Sequence, residues 1–405
     1  MSWASVTLGE VSTNIQTGPF GSQLHQSDYS DGGVPVVMPK DLVDGHISED
    51  SIARVSMSHV DRLSRHKIEV GDILYSRRGD VGRCAFATEV EQGWLCGTGC
   101  LRVTIDQSKA IPKFIFYQLQ KAETIGWVEK HAVGSTMLNL NTSILGSVPI
   151  ELPSMAEQQM IVHVLSAYDD LIENNQKQIK LLEEAAQRLY KEWFVDLRFP
   201  GHETTPIVDG IPEGWSMCTA GNVIEFNPKT PLKKGCIKQS VPMTALSTSS
   251  MVLNSSEFTM TESNSGAKFR NGDTLLARIT PCLENGKTAF VAGITSEEGA
   301  VGSTEFIVMR AKKINPYMVY LLARTEEFRK TAINSMTGSD GRQRAQVDKI
   351  MQFPYLLAPQ STLEAFSQLV EPIFEQVYLK NGQIAQLSQA RDRLIPKLMN
   401  REIEV

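Results

Sequence analysis

Apolar residues recur at alternating steps of four and three along two long segments, one beginning near Glu157 and the other near Leu363. This spacing is typical of the a and d positions of a helix that buries one seam. The first seam comprises Ile161, Leu165, Tyr168, Ile172, Asn175, Ile179, Leu182, Ala186, Leu189 and Trp193. The second lies 205 residues further on, at Phe366, Val370, Ile373, Val377, Lys380, Ile384, Leu387, Arg391, Leu394 and Leu398. The pattern predicts two similar long helices.

The segments before the two helices also repeat. Four groups of residues recur in the same order: Trp3 and Trp215, 71–74 (GDIL) and 272–275 (GDTL), Arg77 and Arg278, 82–86 (GRCAF) and 286–290 (GKTAF). The offsets, between 201 and 212, are far longer than the repeats of solenoid proteins. The sequence therefore indicates that a whole domain with its following helix has been duplicated.

We predict an α+β fold with two similar mixed α/β domains, each followed by a long helix. The expected segments are a first domain at 1–152, a central helix at 153–198, a linker at 199–214, a second domain at 215–357 and a C-terminal helix at 358–405. The two helices can pair as an antiparallel coiled coil with pseudo-twofold symmetry. The alternative is that each helix packs against its own domain.

Individual residues indicate where the first helix begins, how the two helices are aligned and whether the second helix is continuous. Ser154 with Glu157 three residues later forms the pattern of a capping box, and the helix that follows is expected to reach about Val195. Polar Asn175 and Lys380 occupy equivalent seam positions, where such residues can fix the register. The second helix contains Pro372, which predicts a break there.

Short elements are expected inside the domains. Alternating or apolar runs predict strands at 34–38, 73–75, 101–105, 274–277 and 305–309, an extended exit at 148–153, and helices at 58–65 and 113–121.

Composition bounds the class of protein. Forty Lys and Arg against 46 Asp and Glu give a formal net charge of −6, so a nucleic-acid surface would have to be local. No run of eighteen apolar residues and no basic, apolar leader occurs, so we expect neither a membrane span nor a signal peptide. The six scattered cysteines favour a reduced, cytoplasmic protein, and the close pair Cys96 and Cys100 lacks the second ligand pair of a zinc site.

Motifs of catalysis are incomplete. Residues 286–288 (GKT) resemble the end of a phosphate-binding loop, but Pro281 stands where its first glycine is required. Residues 226–229 (FNPK) lack the second proline of an adenine methyltransferase motif. The repeated Asp72 and Asp273 could be metal-binding carboxylates, although their Gly-Asp context favours a turn before a strand. We predict no catalytic residue and no metal site.

Several segments resemble those of one known family. They are 18–24 (GPFGSQL), 152–158 (LPSMAEQ), 189–201 (LYKEWFVDLRFPG), 279–287 (ITPCLENGK) and 302–306 (GSTEF). Together, and in this order along the chain, they resemble the specificity subunits of type I restriction-modification systems.

The resemblance implies a non-catalytic reader of double-stranded DNA. Each domain would be a target-recognition domain that reads one half of a bipartite, asymmetric site. The helices would set the spacing and dock two methyltransferase subunits, with translocase-nuclease subunits further out. The chain itself would hold no cofactor, because S-adenosylmethionine would be bound by the methyltransferase that methylates adenine.

Base edges are read by Arg, Lys, Asn and Gln, whereas phosphates accept hydrogen bonds from almost any donor. Polar, glycine-flanked loops are therefore the candidate contacts. In the first domain these are Ser22, Gln23, Ser76, Arg77, Arg78, Arg83, Ser135, Thr136, Asn139 and Asn141. In the second domain they are Arg278, Thr280, Asn285, Lys287, Arg342, Gln343 and Arg344.

Two other classes remain open from the sequence. A self-contained DNA-modifying enzyme requires a complete catalytic motif. A non-catalytic coiled-coil scaffold requires no nucleic-acid surface and would leave the arginine-bearing loops without a role.

Overall fold

A computed structural model describes residues 3–49, 51–134, 138–339 and 341–404 of the chain. Two compact units are present: Met1–Leu171 with Leu387–Val405, and Ile172–Gln386. Each unit contains one mixed α/β domain and a stretch of each of two long helices.

The domain of the first unit is built on short strands. They are β1 (Ala4–Thr7), β2 (Ser12–Thr17), β3 (Tyr29–Ser30), β4 (Val34–Val37), β5 (Leu42–Val43), β6 (His46–Ile47), β7 (Ala53–Val55), β8 (Ile73–Ser76), β9 (Cys84–Phe86), β10 (Leu95–Cys96), β11 (Cys100–Ile105) and β12 (Pro149–Leu152). Its helices are α1 (Met57–Arg62), α2 (Pro112–Leu119), α3 (Ala122–His131) and α4 (Thr142–Gly146). One antiparallel sheet has the order β2-β11-β8-β9, and a second sheet has the order β10-β4-β7-β3.

The long helix α5 (Met155–Tyr190) follows, and it ends in a π-helical turn at Lys191–Val195. A small hairpin, β13 (Ile207–Val208) with β14 (Ile211–Pro212), precedes the second domain.

The domain of the second unit repeats the plan of the first. Its strands are β15 (Ser216–Thr219), β16 (Ile224–Phe226), β17 (Lys238–Val241), β18 (Thr259–Thr261), β19 (Ala267–Phe269), β20 (Thr274–Ala277), β21 (Thr288–Phe290), β22 (Ala300–Gly302), β23 (Phe306–Ala311) and β24 (Pro354–Leu357). Its helices are α6 (Ala220–Val223), α7 (Pro316–Arg324), α8 (Glu326–Asn334) and α9 (Val347–Ile350), and the last helix is α10 (Gln360–Met399). The sheet β16-β23-β20-β21 has the same antiparallel order as β2-β11-β8-β9.

The first and last strands of each domain pair with each other. In the first domain β1 pairs antiparallel with β12, and in the second β15 pairs antiparallel with β24. Since β12 and β24 lead directly into the long helices, each domain is closed at the point where its helix begins.

The repeated aspartates are structural. Asp72 is 1% exposed, and its Oδ2 accepts the backbone N–H of Glu69 at 2.8 Å. Asp273 is also 1% exposed and accepts the N–H of Arg270 at 2.8 Å. Each carboxylate thus closes the turn before the buried central strand, β8 or β20, and the interpretation as a turn is confirmed.

The predicted capping box is also confirmed. The Ser154 hydroxyl accepts the N–H of Glu157 at 3.3 Å, and the Glu157 carboxylate accepts the N–H of Ser154 at 3.0 Å. These reciprocal bonds satisfy donors that the first turn of α5 would otherwise leave unpaired.

The long helices run antiparallel within each unit. In the first unit Arg391 of α10 donates to Asp169 of α5 at 2.9 Å. In the second unit the ring of Phe366 packs at 5.6 Å from Trp193 and at 6.1 Å from Tyr190. Early residues of one helix therefore meet late residues of the other.

Each helix pair shares one hydrophobic core with its domain. In the first unit Ile161 and Leu165 of α5 join Ile395 and Leu398 of α10 and domain residues such as Phe114. The second unit shows the same arrangement, with Ala186, Phe366 and Val377 packed in the core of the second domain. The helices consequently pair with each other and also pack on the domains, so both sequence-based alternatives describe part of the arrangement.

All twenty predicted seam positions are buried or half-buried. Asn175 and Lys380 are among them, but no hydrogen bond joins these two side chains. The polar pair between the helices is instead Asp169 with Arg391, of which only Arg391 lies on the predicted seam.

The predicted break at Pro372 is wrong, because α10 continues through it. Pro372 and Gln368, whose carbonyl the proline leaves without a helical donor, are both exposed, so water can reach that carbonyl. On the opposite face Val370 and Phe374 are almost completely buried. Burial of two large apolar side chains, at about 1.5–3 kcal/mol each, offsets the cost of one proline, about 3 kcal/mol.

No helix in the described part of the chain combines the length and the apolar character needed to cross a membrane.

Replacing Pro372 with alanine should stabilise the protein. The substitution restores one helical hydrogen bond at an exposed position, so we expect the free energy of unfolding to rise by about 1–3 kcal/mol in urea denaturation. Gln368→Ala, on the same exposed face, is the control and should change it by less than about 0.5 kcal/mol. A loss of stability in Pro372→Ala would contradict this account of the helix.

Candidate nucleic-acid interface

Arg77 directly follows the central strand β8. Its backbone N–H donates to the carbonyl of Gly99 at 2.8 Å, and its carbonyl accepts the N–H of Leu140 at 2.8 Å. The guanidinium lies over the ring of Phe20, 4.9 Å from the ring centroid. Partial burial, and then the charge of Arg78, lower the pKa of Arg77, although an arginine remains charged under all ordinary conditions.

The loop that carries Phe20 is held in shape by its own polar groups. The side-chain Oε1 of Gln23 accepts the N–H of Phe20 at 3.2 Å, and the backbone N–H of Gln23 donates to the carbonyl of Phe20 at 2.7 Å. Phe20 is 45% exposed and is the one aromatic residue in the exposed class among the described residues. Together with exposed Ser22, it forms a surface that combines an aromatic face, a cation and hydroxyl donors.

Three of the predicted contacts in the first domain have structural partners. The prediction for Ser76 is wrong: it is 1% exposed, and its hydroxyl donates to the carbonyl of Arg78. Asn141 caps α4, since its Oδ1 accepts the backbone N–H three residues later at 2.8 Å. Exposed Arg83 is bonded to Asp80 at 2.6 Å.

Asn139 lies between two neighbouring segments of backbone. It forms isolated antiparallel bridges with Arg78 and with Val133. Two further predicted contacts, Ser135 and Thr136, lie outside the residues that the structure describes.

Arg278 occupies the same place in the second domain as Arg77 in the first. It follows the central strand β20, and its backbone N–H donates to the carbonyl of Glu305 at 2.9 Å. Its carbonyl accepts the N–H of Ala345 at 2.8 Å, and its Nη2 donates to the carbonyl of Ala345 at 3.2 Å.

Arg278 borders a groove of about 760 Å³ that also carries Lys229 and Lys268. The floor and walls are formed by Asn227, Pro228, Thr230, Pro231, Gly266, Ala267, Thr304, Phe306 and Val308. Three cations and no carboxylate line it, so the groove suits an anionic ligand such as a phosphodiester. The two lysines were not predicted, because no local motif marks either of them and Lys229 is also far from Arg278 in sequence.

The loop after α8 is hydrogen-bonded to the loop after β20. The backbone N–H of Thr280 donates to the carbonyl of Gln343 at 3.1 Å. Arg344 makes a two-pronged ion pair with Glu305, with its shortest contacts at 2.7 and 2.9 Å. Hydrogen bonding to Arg344 lowers the pKa of Glu305, and the same contact raises the pKa of Arg344.

The side chain of Arg344 is therefore engaged in the ion pair with Glu305, which stabilises the loop, whereas Arg342 is exposed. The Arg342 side chain makes no hydrogen bond or ion pair with a residue that the structure describes. Asn285 is also exposed, but Lys287 donates to the carbonyl of Met243 at 3.1 Å and so has a structural partner.

The two domains place different side chains on the same backbone frame. Arg78 is bridged to Asn139 in the first domain, and Ile279 is bridged to Arg344 in the second. Equivalent positions thus hold Arg and Asn in one domain and Ile and Arg in the other. Such differences at a common site can select different ligands.

The described residues contain no group of three or more His, Cys, Asp or Glu that could hold a metal ion. Cys84, Cys96 and Cys100 are buried thiols whose pKa burial raises, to about 12 for the first two. The interface offers cations, amides, hydroxyls and the exposed aromatic ring of Phe20 for binding.

The comparisons with known proteins agree on one family. Residues 1–184 match the type I restriction modification DNA specificity domain. The chain is 27% identical over 393 residues to the type I restriction enzyme MjaIX specificity subunit of Methanocaldococcus jannaschii, which covers 93% of this chain and 88% of that protein. It is 25% identical over 246 residues to the HindI specificity subunit of Haemophilus influenzae, covering 59% of this chain and 50% of the relative.

The fold is also found in a solved structure. The S subunit of a type I restriction-modification system from M. genitalium aligns with a TM-score of 0.53 and 15% identity, over 98% of this chain and 96% of that one. The likeness extends over both domains and both long helices.

Proposed function

We propose that this chain is the DNA-reading, non-catalytic specificity subunit of a type I restriction-modification complex, which its similarity to the DNA specificity domain and to the MjaIX specificity subunit supports. It would bind a bipartite, asymmetric site in double-stranded DNA, with one half read by each domain. Adenine methylation would be carried out by methyltransferase subunits that bind S-adenosylmethionine, and translocase-nuclease subunits would join the same complex.

The observation that carries this proposal is the pair of loop clusters on a common frame. Arg77 and Arg278 are fixed by equivalent backbone hydrogen bonds, whereas their neighbours differ between the domains. A shared frame gives both domains the same approach to DNA, and different side chains give them different base preferences.

The outer faces of the long helices support the docking of other subunits. Leu171 and Leu181 of α5 are 51% and 64% exposed, and Leu369 and Leu379 of α10 are 50% and 55% exposed. Exposed apolar side chains on both long helices offer surface that another protein can bury. We propose that the methyltransferase subunits, two per chain, cover them.

A coiled-coil scaffold without a nucleic-acid role would leave the groove of Arg278, Lys229 and Lys268 without a ligand. Salt-dependent DNA binding distinguishes that scaffold from a DNA reader, because each phosphate contact releases counterions.

Replacing Lys229 and Lys268 together with alanine should weaken DNA binding equally for specific and nonspecific sequences. The slope of log K against log salt concentration should fall by roughly one per lysine, as expected for lost phosphate contacts. The matched control is Lys312→Ala with Lys313→Ala, which removes two exposed lysines of the same domain that line a different groove. Equal slopes for both double variants and the wild type, measured by fluorescence anisotropy with the full chain, would remove this groove from the DNA interface.

Replacing Arg342 with alanine should relax base preference in one half-site only. Loss of one base contact costs about 1–3 kcal/mol of discrimination. Arg78→Ala in the first domain is the reciprocal control and should relax the other half-site. Competition binding with sites altered in one half at a time measures both effects. Relaxed preference in both halves from either variant would show that the domains do not read DNA independently.

A further inference from the structure

The duplicated helices α5 and α10 cross each other at two equivalent places, one in each unit. The side chains in contact at the two crossings differ in chemical character. Residues of α5 correspond to residues 205 positions later in α10. By this correspondence Asp169 is equivalent to Phe374, and Ala186 is equivalent to Arg391. Both residues of the Asp169–Arg391 contact in the first unit therefore have a different residue at the equivalent position in the second unit.

The crossing in the first unit is ionic. Arg391 Nη1 donates to Asp169 at 2.9 Å, and the two residues are only 9% and 6% exposed. The hydroxyl of Tyr117 donates to the same carboxylate, and Lys113 Nζ lies 3.6 Å from it. Arg391 also donates to Asp392 at 2.9 Å.

The crossing in the second unit is apolar. Phe374 is 1% exposed, and its ring lies 4.8 Å from Tyr317, 5.1 Å from Phe290 and 5.8 Å from Tyr320. The antiparallel register that pairs Asp169 with Arg391 places fully buried Ala186 level with Phe374.

The residues around each crossing match its chemistry. Lys113 is the second residue of α2, and Tyr317 is the second residue of α7. The former faces Asp169 and the latter faces Phe374. The whole neighbourhood is therefore adapted to either an ionic or an aromatic contact.

If two identical helices paired, a charged residue of the ionic crossing would lie opposite an apolar residue of the other crossing. Two copies of α5 would place Asp169 level with Ala186, so the carboxylate would keep Tyr117 and Lys113 but lose the guanidinium. Two copies of α10 would place Arg391 level with Phe374, at a position that the small, fully buried Ala186 occupies in this chain. A buried carboxylate that loses one of its two charged partners and a core that is overpacked are both unfavourable.

We propose that the Asp169–Arg391 contact restricts pairing to unlike helices, so that α5 accepts α10 and rejects a second α5. The kind of partner that each long helix fits is thus the other half of this sequence, not a second copy of the same half. The ionic crossing would thereby keep two different domains together and act against complexes with two identical domains.

The test begins with the assembled full chain. A protease site at exposed Glu203 and Thr204 allows the folded protein to be cut between the halves, giving an N piece and a C piece. Cut wild-type protein and its isotope-labelled form are mixed and incubated until native mass spectrometry shows that the labels have scrambled between complexes. Scrambling proves that the pieces have exchanged partners, and the masses then distinguish N·C, N·N and C·C complexes.

The symmetrising variant is Asp169→Phe with Arg391→Ala, which gives every possible pairing the same Phe–Ala contact. We expect wild-type pieces to re-form N·C complexes almost exclusively. In the variant we compare the squared concentration of the N·C complex with the product of the concentrations of the N·N and C·C complexes. This ratio should fall at least about a hundredfold toward the value for random pairing. Asp169→Glu with Arg391→Lys preserves the opposite charges and should retain the wild-type preference.

Two results would overturn the proposal. One is near-random pairing of the wild-type pieces, which requires no variant to fold. The other is a symmetrising variant that folds, exchanges its labels and remains as selective as the wild type. No DNA enters this experiment, so its outcome is independent of whether the domains read DNA.

Discussion

The structure depends on the burial of two apolar helix seams. A helix as long as α5 or α10 cannot expose such a seam to water, and in each unit the two seams are buried jointly with the core of the domain. Ile161 and Ile395 share a core with Phe114 in one unit, as Ala186 and Phe366 do with the second domain in the other. The domain and the helix pair of a unit consequently form one packed body.

This constraint also explains how the loops can vary. The frame beneath them is made of backbone hydrogen bonds, such as those to Arg77 and Arg278, and of buried strands. Side chains at the loop ends, including Asn139 and Arg344, contribute little to that core. Changes of specificity can therefore occur without a change of fold, and a negatively charged chain can still present local cationic surfaces.

The sequence predicted the features that depend on periodicity or on neighbouring residues. The long helices, the capping box at Ser154 and the turn at Asp72 are of this kind. Continuity through Pro372 was not predicted, because it depends on tertiary burial of the opposite helix face. The ionic contact of Asp169 was missed for a related reason: Asp169 lies beside the apolar seam, and its partner is distant in sequence.

Prediction of the candidate site was less complete for the same physical reason. Residue type and loop composition identified Arg342 and Arg78, which are exposed. They could not reveal that Ser76 is the buried end of a strand or that Arg344 is held by Glu305. Lys229 reaches the groove of Arg278 only through folding.

The most direct test of the account is the selection of bound sites by the full chain from random double-stranded DNA, followed by sequencing. Two different half-sites on a shared frame should yield an asymmetric motif in two parts, separated by a gap of fixed length and unspecified sequence. A palindromic motif, a single continuous motif or no enrichment would contradict the claim that two distinct loop clusters read DNA together.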